Sequence, residues 1–458
     1  MSVFGKIRER IANMLIPSKD LKDIFGVEPL ASATLDAKTK QWLRAYKGQN
    51  YDPRSYVKSL RLEKSICREF SEISVNEMEY DITNEKLKEI FEKAVDPLKE
   101  KLQRGLAVGG FIIKPLGEDN VQFVMQGDFI PIEIDDKGRL KSVIFPEVRQ
   151  KDDRYYTRLE YHYLSNKGLT IENVAFVSPT KGKIGTQCEL SVIDDWASLP
   201  EIITYQGMDK VDFGYFKVPI DNDVDDSEFG ISIFDSAMDL ITDADIQKAR
   251  LDWEFKSGER ALHISPRAYK KVKEEDNINE AHNKNTREDV AVLNARMYKS
   301  LNLDVAQDGD LYKEFSPELR QKDITDGLEE YLRRIEFTVG LSYGDLSDPK
   351  YVEKTATEIK ISKQRKYNTV TGIQKQLRYC LEDLIDALAF YNAMFTTGYE
   401  VTINFEDSIL TDEETERKQD MEDVASGMMS AWEYRMKWYG ETEEEAKANT
   451  PQTATVMM

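Results

Sequence analysis

The feature that most constrains this chain is a pair of long helical segments joined by a short loop. Residues 316–341 form a charged amphipathic segment, and residues 355–392 form a second, longer one. Ser316 and the proline that follows it predict an N-cap and a first helical residue for the first segment. The loop between them, residues 342–354, contains Gly344 and Pro349, which interrupt helices. Neither helix carries a catalytic motif, so the pattern predicts a mechanical element with a mobile hinge.

The rest of the chain alternates between helical and β-rich blocks. Apolar residues recur at helical spacing over 35–105, whereas short β-branched and aromatic runs separated by Gly, Asp or Pro occupy 109–219. Asp135–Gly138 and Ser165–Gly168 each lie between apolar runs and predict hairpin turns. The remaining predictions are a helix over 233–256, a strand over 261–266, a charged stretch over 267–300, a strand and turn over 301–315, a strand over 398–408, and helices over the last forty residues.

Charge excludes several classes of protein. The chain has 458 residues, with 84 acidic and 63 basic side chains and a net charge of −21. Such a surface repels nucleic acid, which argues against a repressor or polymerase but not against a passage through which DNA slides without sticking. No run of eighteen apolar residues predicts a transmembrane helix, and charges scattered through residues 1–19 argue against a secretory signal. A terminal helix docked on protein is expected there, with no membrane partner.

Residues that could carry catalysis or bind a metal are sparse. The chain lacks the phosphate-binding GxxxxGK[ST] and GxGxxG motifs, the HExxH metal motif and the GxSxG nucleophile motif. We therefore expect no enzymatic activity, no cofactor and no metal site. The histidines His162, His263 and His282 are each expected to be surface or core residues. The cysteines Cys67, Cys188 and Cys380 are far apart and are expected to be buried thiols of a reducing compartment, not a disulfide framework or a zinc site.

Residues 221–228 form an acidic loop that partly matches a calcium-binding loop. Asp221, Asp223 and Asp225 occupy alternate ligand positions, but Asp226 stands where the turn glycine is needed and Ser232 where a bidentate glutamate is needed. The loop is therefore predicted to be a solvated linker.

Basic side chains concentrate on the long helix after the hinge. They predict either a solvated face or a stripe that meets DNA phosphates or an acidic neighbouring subunit, and the subunit contact is the expectation in so acidic an assembly. The residues are Lys354, Lys360, Lys363, Arg365, Lys366, Lys375 and Arg378.

In order, these units resemble a portal protein of tailed bacteriophages, with the similarity strongest to portals of phages and prophages of Gram-positive bacteria. Three stretches carry the local resemblance: GLSYGDLSDPKYVEKTATEIK, DDWASLP with YFKVPIDNDVDDSEFGISIFDSAMDLI, and NFEDSILTDEETERKQD. The resemblance implies an α+β fold with a β-rich wing, two stem helices flanking a small α/β clip, a long wing helix and a helical crown. The corresponding ranges are 1–230 for N-terminal helices and wing, 231–258 and 316–341 for the stem helices, 259–315 for the clip, 342–354 for a tunnel loop, 355–408 for the long wing helix and a strand, and 409–458 for the crown.

The resemblance also implies a mechanism without catalysis. Portal proteins form a ring, usually of twelve subunits, at one capsid vertex of the virion after assembly in the host bacterial cytoplasm. Double-stranded DNA passes through the ring non-specifically during packaging and ejection. The implied partners are the terminase large subunit, head-completion or adaptor proteins, and the major capsid and scaffolding proteins. A helix over 316–341 would span roughly 38 Å, long enough to line such a channel.

Two groups of residues are candidate contacts under this resemblance. The tunnel loop is expected to project into the channel, with Lys350 and Lys354 contacting phosphates, and its candidate residues are Ser342, Tyr343, Gly344, Asp345, Asp348, Pro349, Lys350 and Lys354. The clip is expected to dock terminase and head-completion proteins through Lys270, Lys271 and Lys273.

Three other interpretations compete with a portal. The first is a different non-catalytic head protein, such as an adaptor or minor head protein. The second is a hydrolase or metal-dependent nuclease built on acidic clusters, in which Asp221 and Asp223 would be required. The third is a DNA-binding regulator, which conflicts with the charge balance and lacks a recognition helix flanked by basic residues.

Overall fold

The computed structural model describes residues 18–117, 120–135, 138–259, 261–264, 298–300, 312–348, 356–394, 398–405 and 413–450. Within these ranges the chain is mixed α+β, which confirms the predicted fold class. Among the described helices, none combines the length and apolar character that a membrane crossing requires.

Within residues 18–108 of the described chain, five helices and one strand form the N-terminal part. They are α1 (Ser18–Phe25), α2 (Ala33–Tyr46), α3 (Leu62–Asn76), β1 (Met78–Ile82), α4 (Glu85–Val95) and α5 (Leu98–Val108). Polar caps begin two of them, since the side chains of Ser32 and Asn84 accept hydrogen bonds from backbone amides in the first turns of α2 and α4. Their apolar faces bury Trp42, Phe70 and Phe91 in the main core. The helical prediction for this part is confirmed.

In the part of the predicted β-rich block that the structure describes, nine strands form two sheets. The strands are β2 (Gly110–Pro115), β3 (Val121–Met125), β4 (Ile130–Ile134), β5 (Leu140–Lys151), β6 (Arg154–Ser165), β7 (Gly168–Ser178), β8 (Thr186–Cys188), β9 (Ile202–Gln206) and β10 (Gly214–Lys217). One sheet has the order β10-β2-β3, and the other has the order β4-β5-β6-β7-β8, with β9 also paired to β7. Both predicted hairpins are present, joining β4 to β5 and β6 to β7.

Among the described residues, the next helices after the β-rich block are α6 (Met238–Ser257), α7 (Gln321–Val339) and α8 (Ala356–Tyr391). A single 3₁₀ turn, Asp235–Ala237, precedes α6, so this α-helix begins later than the predicted position 233. The bounds of α8 match the prediction of 355–392 closely. Between α6 and α7, the short strands β11 (Ala261–Ile264), β12 (Tyr298–Ser300) and β13 (Tyr312–Phe315) form a sheet in the order β12-β11-β13.

The predicted start of the helix over residues 316–341 is wrong. Residues 316–320 lie outside any helix and are exposed, and α7 begins at Gln321 rather than at Ser316. A tertiary contact accounts for the difference: the carboxylate of Glu254 in α6 accepts hydrogen bonds from the backbone amide and guanidinium of Arg320. This contact holds Arg320, the N-cap residue of α7, in place, although no side chain caps the amides of the first turn at this described helix end.

The long helix α8 packs against the sheet β10-β2-β3 and joins it to the main core. Leu377, Leu381 and Leu384 are fully buried in the same cluster as Phe111 and Phe216. The close approach of α8 to β10 is possible because β10 begins with Gly214, where a Cβ atom would lie 2.0 Å from the carbonyl oxygen of Cys380 in α8.

The C-terminal part contains β14 (Val401–Phe405) and the helices α9 (Glu413–Ser426), α10 (Ala431–Tyr439) and α11 (Glu443–Asn449). β14 pairs with β1, and Ile403 is its buried residue, as the predicted alternation requires. Capping boxes begin α10 at Ser430 and α11 at Thr442. The prediction of a strand followed by helices is confirmed.

Candidate functional site

Helices α6 and α7 form an antiparallel pair. The amide of Gln247 in α6 donates to the carbonyl of Ile324 (3.1 Å), and Glu254, further along α6, contacts the earlier residue Arg320. At the same end, β11 pairs antiparallel with β13, so the chain leaves α6 and returns to α7 at adjacent positions. The two helices therefore form one hairpin-like unit with a small sheet at its end.

Glu254 of α6 joins the two helices at this end of the pair by binding Arg320, the residue just before α7. Its carboxylate is buried and accepts from the Arg320 backbone amide (2.9 Å), Nε (3.2 Å) and Nη2 (2.8 Å). The hydrogen bonds and charge of Arg320 hold the pKa of Glu254 below its ordinary value, so the carboxylate stays ionised at neutral pH. The bidentate geometry fixes where α7 begins.

At its opposite end, α7 is followed by the C-cap residue Gly340. This glycine has a φ of +86°, and its amide and that of Leu341 both donate to the carbonyl of Glu336. A Cβ atom at Gly340 would lie 2.4 Å from Oγ1 of Thr369 in α8, so space as well as conformation requires glycine here. The cap turns the chain back toward the side of α7 that carries Glu336.

Residues 342–348, which we name the post-helix turn, wrap around the side chain of Glu336. Glu336 is buried, and its Oε1 accepts from the backbone amides of Gly344 (3.1 Å), Leu346 (2.6 Å) and Ser347 (2.8 Å). Its Oε2 accepts from the hydroxyl of Ser347 (3.0 Å). A carboxylate surrounded by converging backbone amides is a strong anchor, because each bond to a charged group is stronger than a neutral one.

A second set of contacts ties the post-helix turn to α8 and α3. The carboxylate of Asp345 accepts from the backbone amide of Ser342 (2.8 Å) and pairs with Lys366 of α8 (3.0 Å). Lys366 also pairs with Glu69 of α3 (3.0 Å). In addition, the backbone amide of Asp348 donates to Glu329 (2.9 Å). These contacts join the turn to three separate helices.

Five of the predicted tunnel-loop residues lie in the post-helix turn: Ser342, Tyr343, Gly344, Asp345 and Asp348. The anchoring contacts make this part of the loop a packed turn, in contrast to the mobile hinge that Gly344 suggested. Pro349, Lys350 and Lys354 lie outside the described residues, as do the clip residues Lys270, Lys271 and Lys273. The proposed DNA and terminase contacts of these residues stay predictions.

The predicted basic stripe on the long helix is partly used inside the chain. Lys366 is buried between two carboxylates, so its assignment to an outward-facing stripe is wrong. The guanidinium of Arg365 lies over the rings of Phe337 (4.4 Å) and Tyr343 (5.3 Å), and that of Arg378 lies over Phe405 (5.8 Å). Lys363 and Lys375 are exposed, whereas the side chains of Lys354 and Lys360 lie outside the described ones.

Large apolar side chains are exposed at the end of the α6–α7 pair where Glu254 binds Arg320. Trp253 is 67% exposed, and Phe255, Phe315 and Leu319 are each more than 40% exposed. Because exposed aromatic residues are common anchors of protein interfaces, this end is a candidate protein contact.

A buried charge network lies in the β-rich block. Nδ1 of His162 lies 2.8 Å from Asp212 and Nε2 lies 2.8 Å from Glu160, while the hydroxyl of Tyr391 donates to Asp212 (2.6 Å). Burial alone would lower the pKa of His162, but the charges and hydrogen bonds of Asp212 and Glu160 raise it overall. Lys114 pairs with Glu160 at 2.7 Å. His162 is therefore a core residue, as predicted. The side chain of His263 and the whole of His282 lie outside the described part of the structure.

The acidic loop 221–228 is organised around Asn222. This residue is buried, and its amide nitrogen donates to Asp225, Ser227 and the carbonyl of Phe229. The loop is thus more ordered than a solvated linker, although Asp221 and Asp223 are exposed. In the part of the chain that the structure describes, no group of three or more His, Cys, Asp or Glu side chains could hold a metal ion.

The sequence matches no family model, and comparison with curated proteins finds no relative. Function therefore has to be inferred from the geometry of the described residues.

Glu254 and Glu336 are the functional candidates that sequence reasoning missed. A signal for Glu336 does exist: it lies on the same helical stripe as Leu332, Ile335 and Val339, four residues before a glycine. A charged residue on a buried stripe needs partners, and a turn of free backbone amides after the glycine can provide them.

Proposed function

We propose that this chain is the subunit of a portal ring at a single capsid vertex of a tailed-phage virion, assembled in the host bacterial cytoplasm. The ring would form the channel for packaging and ejection of double-stranded DNA. It would also form the platform on which terminase and the head-completion or adaptor proteins dock. The subunit would act mechanically, without catalysis.

One observation carries this proposal: the antiparallel α6–α7 pair has a small sheet at one end and is followed, after the post-helix turn, by the 36-residue helix α8. This is the order expected for stem, clip, stem, tunnel loop and wing helix. α7 has 19 residues and so is roughly 28 Å long. Helices of this length, repeated around an axis, can form the wall of a channel.

The exposed apolar end of the pair supports assembly into a ring. Trp253 is 67% exposed and its neighbours Phe255, Phe315 and Leu319 are 41–45% exposed within one chain, although aromatic residues provide much of the energy of protein interfaces. A neighbouring copy of the same helix pair would cover them. The net charge of −21 suits a channel that DNA must pass without binding.

Electron microscopy of the purified full-length protein tests the proposal. We expect annular particles with a central opening, and immunogold labelling at one vertex of capsids. Trp253→Ser should weaken assembly by about tenfold or more in the concentration at which rings dissociate, since the residue is an exposed aromatic anchor. Tyr56→Ser is a matched control, because Tyr56 is 79% exposed but lies in the N-terminal part.

Three results would contradict the proposal or redirect it. A protein that is monomeric at all concentrations is not a portal. Rings that Trp253→Ser and Tyr56→Ser affect equally would show that the α6–α7 end is not the interface. Label on a separate ring attached outside the capsid would identify an adaptor protein instead.

A further inference from the structure

The post-helix turn is centred on one side chain. Three of its backbone amides and one hydroxyl converge on the carboxylate of Glu336, at distances of 2.6 to 3.1 Å. Buried amides need acceptors, and a buried carboxylate needs donors. Each side therefore satisfies the other, and loss of the carboxylate would leave several of these donors with one acceptor fewer.

We propose that Glu336 is a positioning residue, which fixes the direction in which the chain leaves α7. Its contacts make residues 342–348 a rigid support rather than a hinge. The role in DNA translocation rests on the proposed function, because there the turn holds the start of the tunnel loop. The anchoring role itself does not depend on that function.

The second set of contacts extends the support to two other helices. Asp345 pairs with Lys366 of α8, and Lys366 pairs with Glu69 of α3, each at 3.0 Å. Lys366 and Asp345 are largely buried, so water screens this interaction weakly. A displacement of the turn would break an ion pair in the interior. The turn is therefore linked by buried charges to α8 and, through Lys366, to α3.

Hydrogen exchange of the full-length protein tests the anchor directly. In Glu336→Gln the side chain keeps its size but loses its charge and one acceptor oxygen. Amides in residues 344–347 should then exchange about 10- to 100-fold faster, since a hydrogen bond to a charged group contributes about 1.5–3 kcal/mol. The control is Glu330→Gln, which alters an exposed glutamate of the same helix paired with Arg334. It should leave exchange in 344–347 unchanged.

The isosteric substitution separates positioning from packing. If Glu336 only fills space, Glu336→Gln will exchange like the wild type in residues 344–347, and the proposal is overturned. Faster exchange that is largest in the turn, with a urea midpoint lowered by no more than the lost hydrogen-bond energy explains, supports it. Equal acceleration of exchange at amides throughout the chain would show general destabilisation and overturn the local role.

A functional measurement follows from the same variant. Glu336→Gln subunits should form normal rings in electron micrographs but give a loss of DNA-filled particles, whereas Glu330→Gln should give neither defect. Normal filling by Glu336→Gln with altered exchange would overturn the role in translocation. If the wild type forms no rings, the proposed function fails, while hydrogen exchange still decides whether Glu336 anchors the turn.

Discussion

Glu63→Gln should make the protein more stable at alkaline pH. Glu63 is fully buried near the start of α3; its Oε1 accepts from Asn50 (3.1 Å), and its Oε2 has no hydrogen-bond partner in the structure. Burial is the largest cause that raises its pKa, and the negative charge of Asp245 in α6 adds to it, giving a pKa of about 7. An ionised Glu63 is therefore unfavourable in the folded protein.

The size of the effect follows from the difference in pKa between the two states. With an ordinary value of 4.5 in the unfolded chain and about 7 when folded, the shift is about 2.5 units, or about 3 kcal/mol. Below pH 4.5 Glu63 is protonated in both states, so ionisation costs no stability. As pH rises from 4.5 to 7, only the unfolded chain loses the proton readily, and folding stability falls. Glutamine avoids this loss and can still accept the hydrogen bond from Asn50.

Equilibrium unfolding in urea, followed by tryptophan fluorescence at one protein concentration, measures the difference. Glu63→Gln should exceed the wild type by about 3 kcal/mol at pH 8 and by less than about 1 kcal/mol at pH 5. Glu72→Gln is the control, since this exposed residue of the same helix should change stability by less than about 0.5 kcal/mol. Equal stability of Glu63→Gln and wild type at pH 8, or a gap that does not vary with pH, would refute the reasoning.

Two further predictions concern buried positions. Asp212→Asn should destabilise the protein by about 3–5 kcal/mol in urea unfolding at pH 6, because it leaves protonated His162 with one carboxylate fewer. Because the pKa of His162 is raised in the folded protein, its protonation contributes stability below pH 6.5, and this stability is lost as pH rises through the folded-state pKa. The loss of unfolding free energy in Asp212→Asn should therefore be smaller at pH 9, and a loss that grows with pH contradicts this reasoning. Gly340→Ala should lower stability by about 1–3 kcal/mol through its positive φ and the nearby Thr369, and an unchanged thermal midpoint would show that the cap relaxes freely.

The sequence predicted those elements whose signals are local and repeated. Apolar residues recur along the whole of α8, and the residues Ser165–Gly168 provide a turn between two long strands, so both were found within a few positions. By contrast, the start of α7 depends on Glu254, which is distant in sequence from the expected cap at Ser316. Local capping signals cannot report such a contact.

The candidate site was less predictable for the same reason. Lys366 has the sequence context of a solvated helical lysine, and only the folded chain brings it to Glu69, 297 residues away. Gly344 indicated flexibility, but its backbone amide is one of the donors that fix the post-helix turn. Gly344 therefore identified where the chain bends, whereas the carboxylate of Glu336 on the preceding helix, which sequence reasoning missed, holds the turn in place.

Together, the two missed glutamates show how both ends of α7 are held, which the proposed role as a channel wall would require. Glu254 accepts from the backbone amide immediately before the helix, and Glu336 accepts from the backbone amides immediately after it. Both carboxylates are buried, and each holds a helix end that would otherwise fray. Through these contacts both ends of α7 are joined to neighbouring elements: Glu254 lies in α6, and the turn that Glu336 holds is paired with Lys366 of α8. In a ring, forces from moving DNA would then be transmitted through whole helices to neighbouring subunits, rather than being absorbed by local unfolding at the channel surface.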